Sequence, residues 1–235
     1  MNIKSAKDDR LFLILLLAGA FVWSLQQGSV QTAAVRLFVI LLCLPVHELA
    51  HAWTAYKLGD PTAKRLGRVS LNPLRHLSLE GTIFMFLFGF GFAKPVPVST
   101  AYFPPDRRKQ YYALTSLAGP ASNLLMAVIF LLIGRFFLRA QGLSFDGYTV
   151  CSYLVTAAYI NVALAVFNLL PIPPLDGSSL LALVLPGEAY RRWSGYQRYL
   201  ILAIFLLSFL LHRAGLSPLS AVTGAVMRFL TGLIL

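Results

Sequence analysis

The chain has 235 residues, 57% of them hydrophobic and only 12% charged, with a mean hydropathy of +0.71. Soluble domains carry roughly 25% charged residues, so a soluble enzyme, a disordered chain and a disulfide-stapled secreted domain are excluded. The net charge of +11 clusters between apolar runs, which assigns it to membrane topology and anionic lipid, not to nucleic acid.

A helix needs about 20 mostly apolar residues to span the hydrocarbon. Residues 11–35 are free of charge and predict a first span. Lys4, Lys7, Arg10 and the stretch Ala18-Gly19-Ala20 also resemble a cleavable signal peptide. The apolar run continues through Phe21, Val22 and Trp23, which favours an uncleaved helix. Residues 37–56 predict a second span, interrupted only by His47, Glu48 and His51. Residues 82–93, rich in Phe and Gly, are too short to cross and read as re-entrant or interfacial. Residues 89–100 read Gly-Phe-Gly-Phe-Ala-Lys-Pro-Val-Pro-Val-Ser-Thr, and this alternation with prolines suits an edge strand. Residues 113–133, 150–170, 199–211 and 218–235 complete about six spans. With both termini inside, fifteen of the twenty basic residues fall on the cytoplasmic side, as the positive-inside rule asks. The expected fold is an all-α polytopic membrane protein of about six transmembrane helices, with a re-entrant or β-edge segment after the second. It forms a single membrane-embedded domain over residues 1–235. Cys43 and Cys151 fall inside spans and read as small core residues.

There are only nine acidic residues, so the position of each is informative. Seven lie in or beside loops; Glu48 sits inside the second run and Asp176 just past the fourth. An ionisable group at membrane depth is expensive and marks a functional site. Glu48 belongs to His47-Glu48-Leu49-Ala50-His51, an HExxH motif. On a helix His47 and His51 share one face and can both reach one metal ion. Glu48, one residue along, is placed to take a proton from a water on that metal. Zinc suits such a site, with a third protein ligand and an open position. Counting from Leu37 puts the site about 15 Å into a core about 30 Å thick, near mid-membrane or somewhat towards the cytoplasm. Asp176 follows prolines 171, 173 and 174, which break the fourth helix, and is the better candidate for the third ligand. On spacing alone the lesser alternative is that it caps the short helix 178–185, and His76, in a basic loop, is a further candidate.

These residues resemble the site-2 proteases, zinc metalloproteases that cut within transmembrane segments. The resemblance covers residues 37–187 and rests on three motifs in order. They are the HExxH at 47–51, Ala118-Gly119-Pro120-Ala121-Ser122-Asn123, and Asn168 through Asp176-Gly177 with Leu169-Leu170-Pro171-Ile172-Pro173-Pro174-Leu175 between. Asn72-Pro73-Leu74 and Lys94-Pro95-Val96-Pro97-Val98 are similar to the short bacterial branch, which carries no PDZ or nucleotide-sensing domain. The resemblance implies one Zn2+ held by His47, His51 and Asp176, with Glu48 as catalytic base. It also implies that Asn123 and Asn168 hold the substrate backbone or support the oxyanion, although interhelical hydrogen bonding explains both asparagines as readily. The implied function is intramembrane endopeptidase action on a transmembrane protein substrate, in the bilayer of a bacterial inner membrane. A membrane zinc-binding protein or transporter, and an inactive homologue, are the alternatives. Neither the substrate nor the oligomeric state is legible, and Glu80 has no account.

Overall fold

The computed structural model describes residues 37–76, 94–141, 145–213 and 216–235, together with 18, 19, 22, 34 and 35. The 82–93 run, Glu80 and nearly all of the first expected span lie outside the described residues. Every regular element among the described residues is helical. The second expected span is a continuous helix that contains a π-helical turn, Val39–Cys43, before α1 (Leu44–Lys57). There the Leu44 N–H bonds the Val39 carbonyl, five residues back. Pro45, at the start of α1, has no N–H to continue the ordinary ladder, so the widened turn falls where the ladder is already broken.

A short helix α2 (Thr62–Arg65) follows, and the chain then reaches α3 (Arg108–Gln141) and α4 (Phe145–Asn168). Residues 108–140 and 147–168 are long and apolar enough to cross a membrane. In a soluble core helix most side chains would be buried, but here only 28% and 33% of the apolar windows are. Their outward Leu, Ile and Phe side chains therefore suit lipid. The two pack antiparallel through small residues. Ala127, Ala157, Ala158 and Ala165 are buried, and a Cβ on Gly134 would lie in ordinary contact, 3.6 Å from Cys151 Sγ. Val39, Cys43, Phe130, Leu131 and Val162 complete this core, with Met227 and Ile234 from the last helix.

Past α4 come α5 (Ser178–Val184), α6 (Gly187–Gly195), α7 (Gln197–Arg213) and α8 (Pro218–Ile234). Lys109 Nζ donates to the Leu185 carbonyl at 3.1 Å, so the end of α5 sits with the start of α3 and the loop that follows α1. At the other end of α3, Arg135 donates to the Ile234 carbonyl. The C-terminal end of α8 thus lies beside the end of α3 that is far from the basic loop. This corrects the expectation of a C-terminus on the loop side. An apolar run of span length carries no direction, and a polar anchor at the helix end decides it.

No strand occurs among the described residues, so the expected edge strand is corrected over residues 94–100, while residues 89–93 lie outside the described residues. Residues 94–99 form no regular element, with Ser99 itself extended, and they have no ladder partner among the described residues; Pro95 and Pro97 lack the N–H groups that a ladder needs.

Candidate metal centre

His47 and His51 stand one turn apart on α1, both buried. Their Nε2 atoms are 3.1 Å apart and their rings meet edge to face, with centroids 4.6 Å apart. The tautomer of His51 is set from outside: its Nδ1 donates to the Thr115 carbonyl of α3 at 2.7 Å, leaving the Nε2 lone pair free for the site.

Asp176 arrives from the other side. After α4 the prolines stop the helix, and the Gly177 N–H bonds back to the Asn168 carbonyl at 2.7 Å, closing a tight loop. The Asp176 carboxylate then faces both rings, with Oδ2 at 3.3 Å from His47 Nε2 and Oδ1 at 3.4 Å from His51 Nε2. The capping reading fails, because the N-cap of α5 is Gly177 and no side chain makes a cap bond there. Only the Asp176 backbone carbonyl serves α5, accepting from Ser179 Oγ at 2.7 Å.

The three groups fit one tetrahedral ion. Zinc–nitrogen and zinc–oxygen bonds of about 2.0–2.1 Å place neighbouring ligand atoms about 3.3 Å apart. The two Nε2 atoms are 3.1 Å apart, and each has one Asp176 oxygen beside it, Oδ2 at 3.3 Å from His47 and Oδ1 at 3.4 Å from His51, so either oxygen can complete the set. The donor set of two imidazoles and one carboxylate is that of catalytic zinc. No other group of three or more His, Cys, Asp or Glu among the described residues converges in this way. Asp176 Oδ2, buried between the histidines, has no hydrogen-bond partner among the described residues, as expected of a polar pocket that the protein alone does not satisfy.

The fourth side of the pocket is backbone. Gly119 of α3 lies directly over the histidine pair; a Cβ there would stand 2.6 Å from His47 Cε1 and would also overlap His51. Glu48 lies beside the pair on α1, 7% exposed. Asn123, one turn beyond Gly119, is 1% exposed, and its Oδ1 has no partner among the described residues. Asn168 contributes its carbonyl to the loop closure that presents Asp176.

His76 is not brought to the metal centre. It is fully buried in the loop after α2, where its Nε2 donates to the Ser70 carbonyl at 2.7 Å. Burial holds its ring below the usual histidine value, with the Arg68 and Arg75 charges acting in the same direction. Sequence reasoning passed over Asn161, Asp60 and Arg68, all buried. Asn161 Nδ2 ties α4 to Cys43 Sγ at 3.3 Å, bracing the π-helical turn before the HExxH helix. A lone Asn in an apolar span was the available signal.

The model of "Peptidase family M50" matches residues 140–212, which include Asp176 but not the HExxH motif. The chain is 40% identical over 151 residues to "Putative zinc metalloprotease YwhC" of Bacillus subtilis, covering 63% of this chain and 68% of that protein. It is 30% identical over 234 residues to "Putative zinc metalloprotease Rip2" of Mycolicibacterium smegmatis, covering 91% of this chain and 87% of that protein. An archaeal relative, "Putative zinc metalloprotease MJ0611" of Methanocaldococcus jannaschii, is 29% identical over 170 residues, 72% of this chain and 80% of that protein. No solved structure matches. With an HExxH pair and a distant aspartate converging on one point, and relatives of this identity and coverage, the chain belongs to peptidase family M50, the site-2 protease family of zinc metalloproteases.

Proposed function

We propose that the protein is an intramembrane zinc endopeptidase that hydrolyses a peptide bond within or near a transmembrane segment of a membrane-protein substrate. The observation that carries this reading is the His47, His51 and Asp176 triangle with Glu48 beside it, buried against a helix of membrane-spanning length. A zinc ion held there would act as a Lewis acid and bring the pKa of a bound water towards 7. Glu48 takes the proton of the attacking water and passes it to the leaving amine. Asn123 and Asn168 offer amide groups to the substrate backbone and to the developing oxyanion.

The membrane boundary is marked on α1. Trp53 is exposed with Lys57 Nζ 5.5 Å over its ring, and Lys64 Nζ donates to Tyr56 Oη at 2.7 Å. Such an aromatic and basic belt sits at the headgroups. His51 precedes Trp53 by two residues, about 3 Å along the helix, so the site lies just inside the loop-side interface and not at mid-depth. The basic loop after α1 then faces the cytoplasm of a bacterial cell, and the C-terminus faces the opposite side. A helical substrate must unwind to be cut, and residues 94–99 provide an extended edge for the unwound chain.

The test is Glu48→Gln against a single-span membrane reporter with a helix-breaking Gly-Pro pair in its apolar segment, in liposomes, with zinc content measured. Loss of cleavage with zinc retained is the expected result. Retained cleavage overturns the mechanism, and zinc binding without cleavage by the parent chain favours a zinc-binding or transport role.

A further inference from the structure

Two charged side chains outside the metal centre are buried: Asp60, with no exposed surface, and Arg68, 6% exposed. Buried charges are costly unless closely bonded, and neither makes an ion pair among the described residues. Both are spent on backbone instead. Asp60 Oδ1 accepts the Thr62 N–H at 2.9 Å and the Thr62 hydroxyl at 2.5 Å, while its Oδ2 accepts the Ser99 N–H at 2.7 Å. Arg68 Nη2 donates to the Lys94 carbonyl, with the Pro95 carbonyl at 3.4 Å. The Lys94 N–H is taken by the His76 carbonyl at 2.7 Å.

The segment 94–99 is therefore held at both ends and, among the described residues, nowhere between. Pro95 and Pro97 hold their own φ angles and push Lys94 and Val96 towards extended backbone, and Ser99 is itself extended, with φ −106° and ψ 103°. No hydrogen bond among the described residues reaches the backbone groups of Val96 or Val98. One anchor is also close to the chemistry. Burial draws the Arg68 guanidinium down from its ordinary value and the negative charge of Glu48 draws it back up, so the two groups lie within electrostatic reach.

We propose that Asp60 and Arg68 are positioning residues that clip residues 94–99 into an extended edge, leaving Val96 and Val98 free to pair with an unwound substrate. This rests on the reading of that segment as the substrate edge. The clip acts on substrate engagement and leaves the metal untouched.

The experiment uses the full chain in liposomes with the Gly-Pro reporter, comparing Arg68→Gln, Arg68→Lys and the isosteric Asp60→Asn. Each lost charged hydrogen bond should raise KM by about tenfold while kcat stays within about threefold. Zinc content should not change, and Arg68→Lys, which keeps a charged donor, should recover part of the loss. A photocrosslinking residue at Val98 in the Glu48→Gln background should capture the reporter about fivefold less once the clip is cut. Unchanged KM and capture overturn the proposal. So does loss of zinc or of folded protein in the variants, because the charges would then serve the metal centre or the fold. The substrate-edge reading is tested apart, by Val96→Pro and Val98→Pro with the clip intact. Normal cleavage there refutes the edge and the clip together. Lost cleavage there, with clip variants behaving as the parent, refutes the clip alone.

Discussion

Gly119→Ala tests whether the metal centre is shaped by backbone contact. The new Cβ would stand 2.6 Å from His47 Cε1 and 2.5 Å from His51 Cε1. Carbon atoms in contact sit about 3.5–4.0 Å apart, so the rings or α3 must yield by about 1 Å. The rings have little room to swing, because His51 Nδ1 is held at 2.7 Å by Thr115, one turn earlier on the same α3. If α3 retreats, it takes the Thr115 carbonyl with it and releases the tautomer of His51. Overpacking of this kind costs about 1–3 kcal/mol of stability. The larger effect falls on function, where a displacement of about 1 Å costs on the order of 100-fold. The assay is zinc content after equilibration against a graded chelator, together with cleavage of the Gly-Pro reporter. Gly119→Ala should hold zinc about 100-fold more weakly and lose cleavage. Gly134→Ala is the control on the same helix, since its Cβ would lie 3.6 Å from Cys151 Sγ, and both readouts should survive. A Gly119→Ala protein with the parent's zinc affinity and cleavage refutes the reasoning.

A topology reporter fused after Leu235 should read the side opposite to one inserted between Lys57 and Arg108; the same side would refute the placement of the C-terminal end of α8 beside Arg135. The loop around His76 should lose protection from protease as the pH falls. Its ring is held below the usual value of about 6.5, so the unfolded chain binds the proton first. Stability is then full above about 6.5 and declines from there down to the folded value. His76→Gln removes that proton, and its protection should change less between about pH 7.5 and 5.5 than the parent's; an equal change would refute this assignment.

The HExxH pair was legible because its geometry is local: four residues along a helix fix one face. Asp176 was legible as a candidate third ligand, since a carboxylate after broken backbone at membrane depth needs a reason. The choice between ligand and cap waited on the fold, which shows the carboxylate turned to the histidines and no cap on α5. Other features rest on contacts that no spacing rule reaches. Arg68 meets Lys94 across 26 residues and Asn161 meets Cys43 across 118. The side on which the chain ends is not legible for the same reason, because it is set by Arg135, 99 residues from the carbonyl that it holds. The edge strand was half legible. Its prolines announced extended chain, and the same prolines deny it a ladder.

The two glycines nearest the site show why the motifs that carry the resemblance contain them. Positive φ among the described glycines occurs only at Gly59 and Gly67. Gly177 has φ −59° and ψ −20°, which any residue adopts, and Gly119 lies within a regular helix. Neither is needed for its backbone freedom. What each supplies is absence of volume: a Cβ at 177 would stand 2.6 Å from the Leu170 carbonyl oxygen, and one at 119 would strike the histidine rings. Gly177 lets the loop close tightly enough to aim Asp176, and Gly119 lets α3 seat against the histidines that it faces. The ligand triangle is thus set by backbone on two sides, and backbone shifts less than side chains do. Alanine at either position should therefore weaken the metal more than it weakens the fold, which is the reverse of what a glycine kept for turn geometry would do.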